Sequence, residues 1–337
     1  MKKILLLFCF FTFSLFGEVN DSIIPLMDQM CIKDLIGKVN DQQRRAIEDI
    51  FKSNDETLRI MSFNMLFNYP AIESRLDPEN RWELRKSRLI EYLRWADADI
   101  IGSQELLKGQ IDEVMSVIGN TYCYYGNIES EEEKEEKEIT AIFYRKNRLK
   151  LLEGKTYYYS NIPCEVSQNH YSRKNSVTFC RFQDLRNGKQ LAICNTHLTF
   201  RCAEERYYEG CSLRQLINIL NNSIPLFVVG DFNTFPFRQQ LDLPFFDGDG
   251  IESLIKGNSL EDSRYRAIFG HFGPIATTNY CSEKQKTFCG EGQPGVILDH
   301  IFVNSRVKVV THGIDPARVN GLFPSDHFPV IVDVLLN

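Results

Sequence analysis

The chain has little that would tie it to a membrane or to a long polyanion. Its longest charge-free apolar run, Ile4 to Phe16, is 13 residues, short of the ~20 that a spanning helix needs. Basic residues are outnumbered, 39 Lys and Arg against 45 Asp and Glu, for a net charge of −6. An acidic protein draws little from the counterion release that dominates non-specific nucleic-acid binding, although an uneven distribution can still build a local basic patch. No stretch rich in Pro, Gly and Ser divides the 337 residues. One domain with an N-terminal extension is therefore the simplest organisation, since single domains of ~250 residues are routine. None of the ten cysteines and six histidines falls at the spacing of a zinc site.

What is present begins at the N-terminus. Lys2 and Lys3 precede the apolar run and Gly17 follows it, the pattern of a signal peptide over residues 1–17. Leu15 is larger than the residue usually found two positions before a cleavage point. An uncleaved anchor is the alternative. Cleavage removes the two lysines, takes the net charge from −6 to −8, and leaves nine cysteines. Export to the periplasm or beyond exposes these to an oxidising compartment. Cys202 with Cys211 and Cys281 with Cys289 are close in sequence and are the expected pairs. Cys180 and Cys194 are not expected to pair. An Asn187-Gly188 two-residue turn would set Arg186 opposite Lys189, and Cys180 and Cys194 would then face opposite sides of their hairpin. The odd count leaves a free thiol.

Residues 18–56 form a helical extension, with helices over Pro25–Ile36 and Asp41–Phe51. Ala46, Ile47, Ile50 and Phe51 share one face. This pair either packs on the domain of residues 57–337 or receives a protein partner or a membrane. The chain is otherwise expected to be monomeric.

Within 57–337, apolar runs predict strands over Leu58–Met65, Asp99–Gln104, Thr140–Tyr144, Lys150–Tyr158, Ser176–Asp184, Gln190–His197, Pro225–Gly230, Val296–Asn304, Val307–Ile314 and Pro329–Leu335. Helices are predicted over Arg81–Ala96, with Leu84, Leu89 and Leu93 apolar, and over Leu107–Ile118 and Ala203–Leu220. Strands mixed with helices indicate a layered α/β sandwich. Residues 129–138 hold seven glutamates and two lysines, the composition of a solvated loop and a poor surface for a polyanion.

Polar groups recur where these strands stop. In order they are Ser62-Phe63-Asn64, Gln104-Glu105, Asn195-Thr196-His197-Leu198, Gly230-Asp231-Phe232-Asn233, Leu298-Asp299-His300-Ile301 and Ser325-Asp326-His327. Carboxylates, amides and imidazoles at the ends of buried strands are the material of a catalytic site. Hydrolysis of a phosphate ester needs a cation, an aimed water, donors for the growing charge and help for the leaving oxygen. Glu105 and Asp326 suit a hard divalent ion such as Mg²⁺, which takes few protein oxygens and keeps waters for exchange. Asn64 completes that centre, directly or through water.

These six motifs, spread over residues 57–337, resemble the endonuclease/exonuclease/phosphatase superfamily, with its DNase I-type nucleases, abasic-site endonucleases, neutral sphingomyelinases, inositol-phosphate 5-phosphatases and deadenylases. The resemblance implies a DNase I-like four-layer α/β sandwich, two mixed β-sheets packed face to face with helices outside. It implies Mg²⁺ as the cofactor, with Mn²⁺ as a substitute. Asp231 would orient the attacking water and Asn233 would donate to the scissile phosphate. Asp299 would hold His327 against a phosphoryl oxygen, and Glu138 would pair with His197 near the leaving group. His300 is expected on the opposite face of its strand, and His170, His271 and His312 as structural or surface residues. The family often carries an Arg before the strand that starts here at Ser176, and Arg173 is the nearest.

The motifs define a phosphoesterase centre without naming the ester, which could be a nucleic acid, a phospholipid head group or a small phosphorylated metabolite. A sphingomyelinase-like phospholipase would need an exposed apolar hairpin, for which Leu243-Pro244-Phe245-Phe246 and Gly321-Leu322-Phe323 are candidates. A toxin-like or partner-binding subunit, or a pseudoenzyme, is the alternative outside enzymology.

Overall fold

The computed structural model describes residues 57–126, 138–159, 175–200, 203–220, 223–234, 260–279 and 297–337. The expected signal peptide and helical extension, residues 127–137 of the acidic stretch, His170, Arg173, Cys202, Leu243–Phe246, Cys281 and Cys289 lie outside them.

The first strand, β1 (Leu58–Asn64), is buried along its whole length. Its alternating side chains serve two cores, because a strand's side chains point to opposite faces. Leu58 and Ile60 face a cluster with Phe182, Ile193, Phe227, Val229 and Ile301. Met61 and Phe63 face another with Leu89, Tyr92, Ile111 and Val114. The second cluster draws on α2 (Trp82–Ala96) and α3 (Lys108–Ile118), which follow β1 and the short α1 (Pro70–Glu73). Between α2 and α3 runs β2 (Ile100–Gln104), parallel to β1.

Seven strands make the first sheet. Besides β1 and β2 they are β3 (Tyr122–Tyr125), β4 (Ile142–Arg145), β10 (His271–Phe272), β12 (Val307–Ile314) and β13 (Val330–Leu336), in the order β10-β12-β13-β1-β2-β4-β3. The second sheet runs β5-β6-β7-β8-β11-β9, comprising β5 (Leu149–Tyr158), β6 (Ser176–Asp184), β7 (Gln190–His197), β8 (Leu226–Asp231), β9 (Leu260–Asp262) and β11 (Asp299–Asn304). Its outer face packs Val177, Phe179, Cys194, Val228 and Phe302 against Leu213, Leu216 and Ile217 of α4 (Ala203–Ile219). The layers are thus α2/α3, first sheet, second sheet, α4, the four-layer sandwich expected from the motifs. A further single turn, α5 (Ser263–Arg266), follows β9.

Several expectations are corrected. The strand expected from Thr140 begins at Ile142, because Ala141 N donates to Ile139 O and Thr140 Oγ1 bonds Ser176 and Thr178 instead. The strand expected from Val296 begins at Asp299, because Leu298 N and Asp299 N both donate to Thr277 Oγ1. On α2, Leu84 is 57% exposed while Arg85 is fully buried. The β6–β7 turn is longer than expected. Asp184 N bonds Lys189 O, so residues 185–188 make the loop, with Gly188 at φ 74°. Asp184 accepts from Arg186 N and from the Arg148 guanidinium, which holds the wider turn. Cys180 therefore opposes Ile193 rather than Asn195. The shift is by two, so the faces are kept: Cys180 lies between the sheets and Cys194 lies under α4. Among the described residues Cys211 is a free thiol, and its expected partner Cys202 lies outside them.

Candidate active site

The sheet registers bring the six motifs to one edge. Asn64 is opposite Gln104, His197 opposite Asp231, and Asp231 opposite Asp299. The turn before β13 carries Ser325, Asp326 and His327, and Ser325 Oγ donates to Asn64 O at 2.7 Å. Two positions show why the backbone follows this path. A Cβ on Gly230 would meet Thr196 O at 2.1 Å, so only glycine lets β7 and β8 close up just before Asp231. Glu105 has φ 63°, a left-handed conformation that costs a side-chain-bearing residue roughly 1–2 kcal/mol. It turns the carboxylate out of the strand line toward the centre.

Asp231 is the hub. Its Oδ2 accepts from Asn64 Nδ2 at 3.1 Å, and lies 3.6 Å from His197 Nε2 and 3.8 Å from His327 Nε2. Each imidazole is held from behind. His197 Nδ1 sits 2.8 and 2.9 Å from the two Glu138 oxygens, and Glu138 Oε1 also accepts from Glu105 N at 3.0 Å. His327 Nδ1 sits 2.8 Å from Asp299 Oδ2. Burial opposes charge on His197, but Glu138, Asp231 and Glu105 outweigh it and raise the imidazole to about 10. His327 is raised well above its ordinary value in the same way, burial being overcome by Asp299, Asp231 and Asp326. Asp299 is itself raised, first by burial and then by Asp231, with His327 pulling it back.

Every residue read from the sequence as catalytic is described and gathered here: Glu138, His197, Asp231, Asn233, Asp299 and His327. Glu105 and Asp326 join them. Burial, with Asp326 and Glu138 nearby, raises Glu105 to about 7 against the pull of His197 and Asn64. Carboxylates crowded to this extent call for a cation. Glu105, His197 and Asp231 offer ligand atoms within 4.8 Å of one another, as do Asp231, Asp299 and His327. The oxygen-rich set fits a hard ion. Both groups include Asp231, to which the resemblance assigned the water. Asn64 turns its Nδ2 toward Glu105 Oε1, at 3.0 Å, and toward Asp231. Its Oδ1 accepts from Leu66 N, so in this arrangement it bridges two carboxylates as a donor.

Other residues hold the site together: Asn195 and Gln104 stand in the motifs with no role assigned there, and Arg85 lies outside them. Asn195 Nδ2 donates across the sheets to Ser103 O and Ala141 O, and its Oδ1 accepts from Gln104 Nε2 at 2.6 Å. Arg85 donates to Met65 O, Leu66 O, Asn80 O and Pro324 O, tying the chain after Asn64 to the turn before Asp326. Polar residues at buried strand positions, and an Arg four residues before Leu89 on the apolar side of α2, were the available signals. His300 does face away, with Nδ1 2.8 Å from Asp262. Phe323 packs on the core and on the Phe328 ring, with centroids 5.2 Å apart.

A two-sheet sandwich with carboxylate–imidazole pairs converging on a buried Asp, among carboxylates able to hold a cation, is the arrangement of a phosphoric ester hydrolase. The chain belongs to the Endonuclease/Exonuclease/phosphatase family, whose model matches residues 61–327, and it is a phosphoesterase of that metal-dependent family. Among solved structures it is similar to a family protein from Bacteroides vulgatus (23% identity over 83% of this chain and 99% of that one, TM-score 0.69). It is also similar to a mannosyl-6-phosphatase from Bacteroides thetaiotaomicron (21%, 83% and 100%, TM-score 0.68) and to the human Nocturnin catalytic domain (21%, 84% and 94%, TM-score 0.61). No curated protein matches.

Proposed function

We propose that the chain is an exported, Mg²⁺-dependent phosphoesterase acting on small phosphate esters, of the size of a phosphorylated sugar or nucleotide. The observation that carries the chemistry is the convergence of His197 Nε2 and His327 Nε2 on Asp231 Oδ2, at 3.6 and 3.8 Å. Those spacings exceed hydrogen bonds, so neither Nε2 is tied to Asp231.

Asn233 sharpens this. Its Nδ2 donates to Leu198 O at 2.8 Å and lies 2.9 Å from His197 Nε2. With neutral His197 carrying its proton on Nδ1, toward Glu138, Nε2 accepts from Asn233. Once His197 is protonated, the two groups present N–H donors to each other. An oxygen anion entering between them satisfies both, which is the arrangement of a preorganised donor pair. Asp231 is left to accept a proton from the attacking water. Asp299 keeps His327 oriented and charged as a donor to a second phosphoryl oxygen. His197, backed by Glu138, is placed to give its proton to the leaving oxygen. Glu105 and Asp326, with Asp231, would hold the ion, which when bound neutralises phosphoryl charge.

The acidic balance of the chain supports a small ester over a long polyanion. The mannosyl-6-phosphatase among the similar structures is in keeping with that choice. Phe323 packs against the core, which weakens one of the two candidate hairpins that a sphingomyelinase would need. Export rests on Lys2, Lys3 and the run to Phe16.

The test is turnover by the purified protein of p-nitrophenyl mono- and diesters, sugar phosphates, nucleotides, DNA, RNA and sphingomyelin, each with Mg²⁺ or chelator. Hydrolysis of small esters only with the ion is expected. Full activity in chelator removes the metal, and preference for DNA or RNA removes the substrate class. N-terminal sequencing should start near Glu18, and finding Met1 on the soluble protein would refute cleavage.

A further inference from the structure

The chain leaves the second sheet at His197 and is at once held by side chains of α4. Leu198 N bonds Asp231 O at 2.9 Å, and Leu198 O accepts from Asn233. At the next residue, Thr199 N donates to Glu209 Oε2 at 2.7 Å, and Thr199 O accepts from Arg206 Nη1 at 2.9 Å. Glu209 and Arg206 are one turn apart on α4, and both are almost wholly buried, at 1% and 2% exposure. Glu209 Oε1 takes a second donor, Asn175 Nδ2, at 2.8 Å, just ahead of β6. On the other side of His197, Thr196 Oγ1 bonds the Tyr159 hydroxyl at 2.5 Å and Ser176 O at 3.1 Å. The chain on both sides of one imidazole is thus fastened by buried polar groups, through the Thr196 hydroxyl before it and the Thr199 backbone after it. Burying a carboxylate for this purpose is costly, and an apolar residue would fill the same space under α4 without that cost.

We propose that Glu209 and Arg206 are positioning residues for His197, a two-handed clamp on Thr199 that fixes the imidazole between Glu138 and Asn233. The proposal deepens the reading of the site given above, since it rests on His197 taking part in the reaction. Glu209 binds an N–H and Arg206 a C=O of the same residue, so together they resist both shift and rotation of the peptide planes that follow His197. A glutamine at 209 keeps the volume, but its amide replaces one acceptor with a donor, so one of the two bonds from Thr199 and Asn175 is lost. Misplacement of a catalytic group by ~1 Å can cost about 10²-fold.

A double-mutant cycle tests the clamp. Glu209→Gln is expected to lower kcat by about 10- to 100-fold on an ester with a poor leaving group, with KM little changed. In a His197→Ala background the same substitution should change kcat less than about 2-fold, because the group it positions is gone. Arg206→Lys, which keeps a donor, should retain more activity than Arg206→Met. Equal losses from Glu209→Gln with and without His197 would overturn the proposal and leave Glu209 as a fold-stabilising residue. The cycle reads coupling whatever step His197 serves. If His197→Ala proves insensitive to the leaving group, the general-acid reading fails while the clamp can stand. Melting curves and the downfield Nδ1 proton of His197 by NMR separate displacement from unfolding. A proton resonance unmoved in a folded, impaired Glu209→Gln would also overturn the proposal.

Discussion

Two groups of histidines occupy this molecule, and their surroundings push them in opposite directions. At the catalytic edge each imidazole has a carboxylate of its own, Glu138 for His197 and Asp299 for His327, with Asp231 shared between them. At the outer margin, β10 and β12 bring His271 and His312 together, Nδ1 to Nδ1 at 2.8 Å, with His271 Nε2 2.9 Å from Pro274 O. There the neighbouring carboxylate, Asp262, already binds His300. Burial pushes His312 down to about 3, with Asp262 opposing and His271, Arg264 and His300 reinforcing. Burial and Arg264 lower His271 as well. A cavity of about 10 Å³ lies between the two regions, lined by Asp299, which holds His327, and by His300 and His312. Burial is common to the two regions, and the supply of carboxylates per imidazole decides which becomes a charged donor and which a neutral packing element.

The comparison breaks most visibly through the carboxylates. Glu105→Gln is expected to reduce turnover by about 10³-fold or more, since a bound ion is worth several kcal/mol of charge stabilisation. Circular dichroism and melting should show a retained fold, because Glu105 lies outside the apolar clusters. Near-normal turnover would take Glu105 out of the centre.

The next effect separates the two catalytic dyads. His327→Ala should be impaired on all esters, since every substrate presents the same phosphoryl oxygens. His197→Ala should lose about 10²–10⁴-fold on an alkyl ester and far less on an activated aryl ester. Measuring both mutants on both substrates checks the division, and equal losses for His197→Ala would leave it a phosphate contact.

A smaller effect is expected at the margin. In the double variant His271→Leu/His312→Leu both partners of a neutral pair are removed together, a change that is often nearly neutral. Activity should stay within about 3-fold and stability within about 1.5 kcal/mol, as read by kcat and denaturant melts. A large loss of turnover would mean that the margin acts on Asp299.

The smallest effect sharpens the contrast through pH. His312 has a folded value near 3 against an unfolded value of about 6.5. The unfolded chain therefore binds the proton first. The stability associated with neutral His312 is present above about pH 6.5 and is lost as pH falls from there toward 3. His312→Leu should flatten the acid side of the stability profile over that window. An unchanged profile would show that other groups govern acid unfolding.

Much of this was legible in the sequence for physical reasons that differ by element. The bounds of β6, β7 and β12 coincide with the apolar runs, because these strands are long and well buried. β3, β9 and β10 were invisible, since two to four residues carry too little periodicity. The Asn187-Gly188 turn was misjudged because Asp184 and its side-chain bonds to Arg148 and Arg186 set the loop length. Site residues in recurrent motifs were found, whereas Arg85, Arg206 and Glu209 act on backbone groups that lie outside those motifs.

Gly102 and Asn195 together settle how a centre divided between two sheets stays aligned. A Cβ on Gly102 would come within 2.5 Å of Val229 Cγ2 and 2.8 Å of Asn195 Oδ1. The gap in one sheet is thus filled by a side chain of the other, as a key fills a slot. Sliding the sheets would drive Asn195 into its neighbours and break its bonds to Ser103, Ala141 and Gln104. Glu105 stands next to Gln104 on one sheet, and His197 stands two residues from Asn195 on the other. The spacing between the edge that carries Glu105 and the edge that carries His197 is therefore set by the interior of the sandwich.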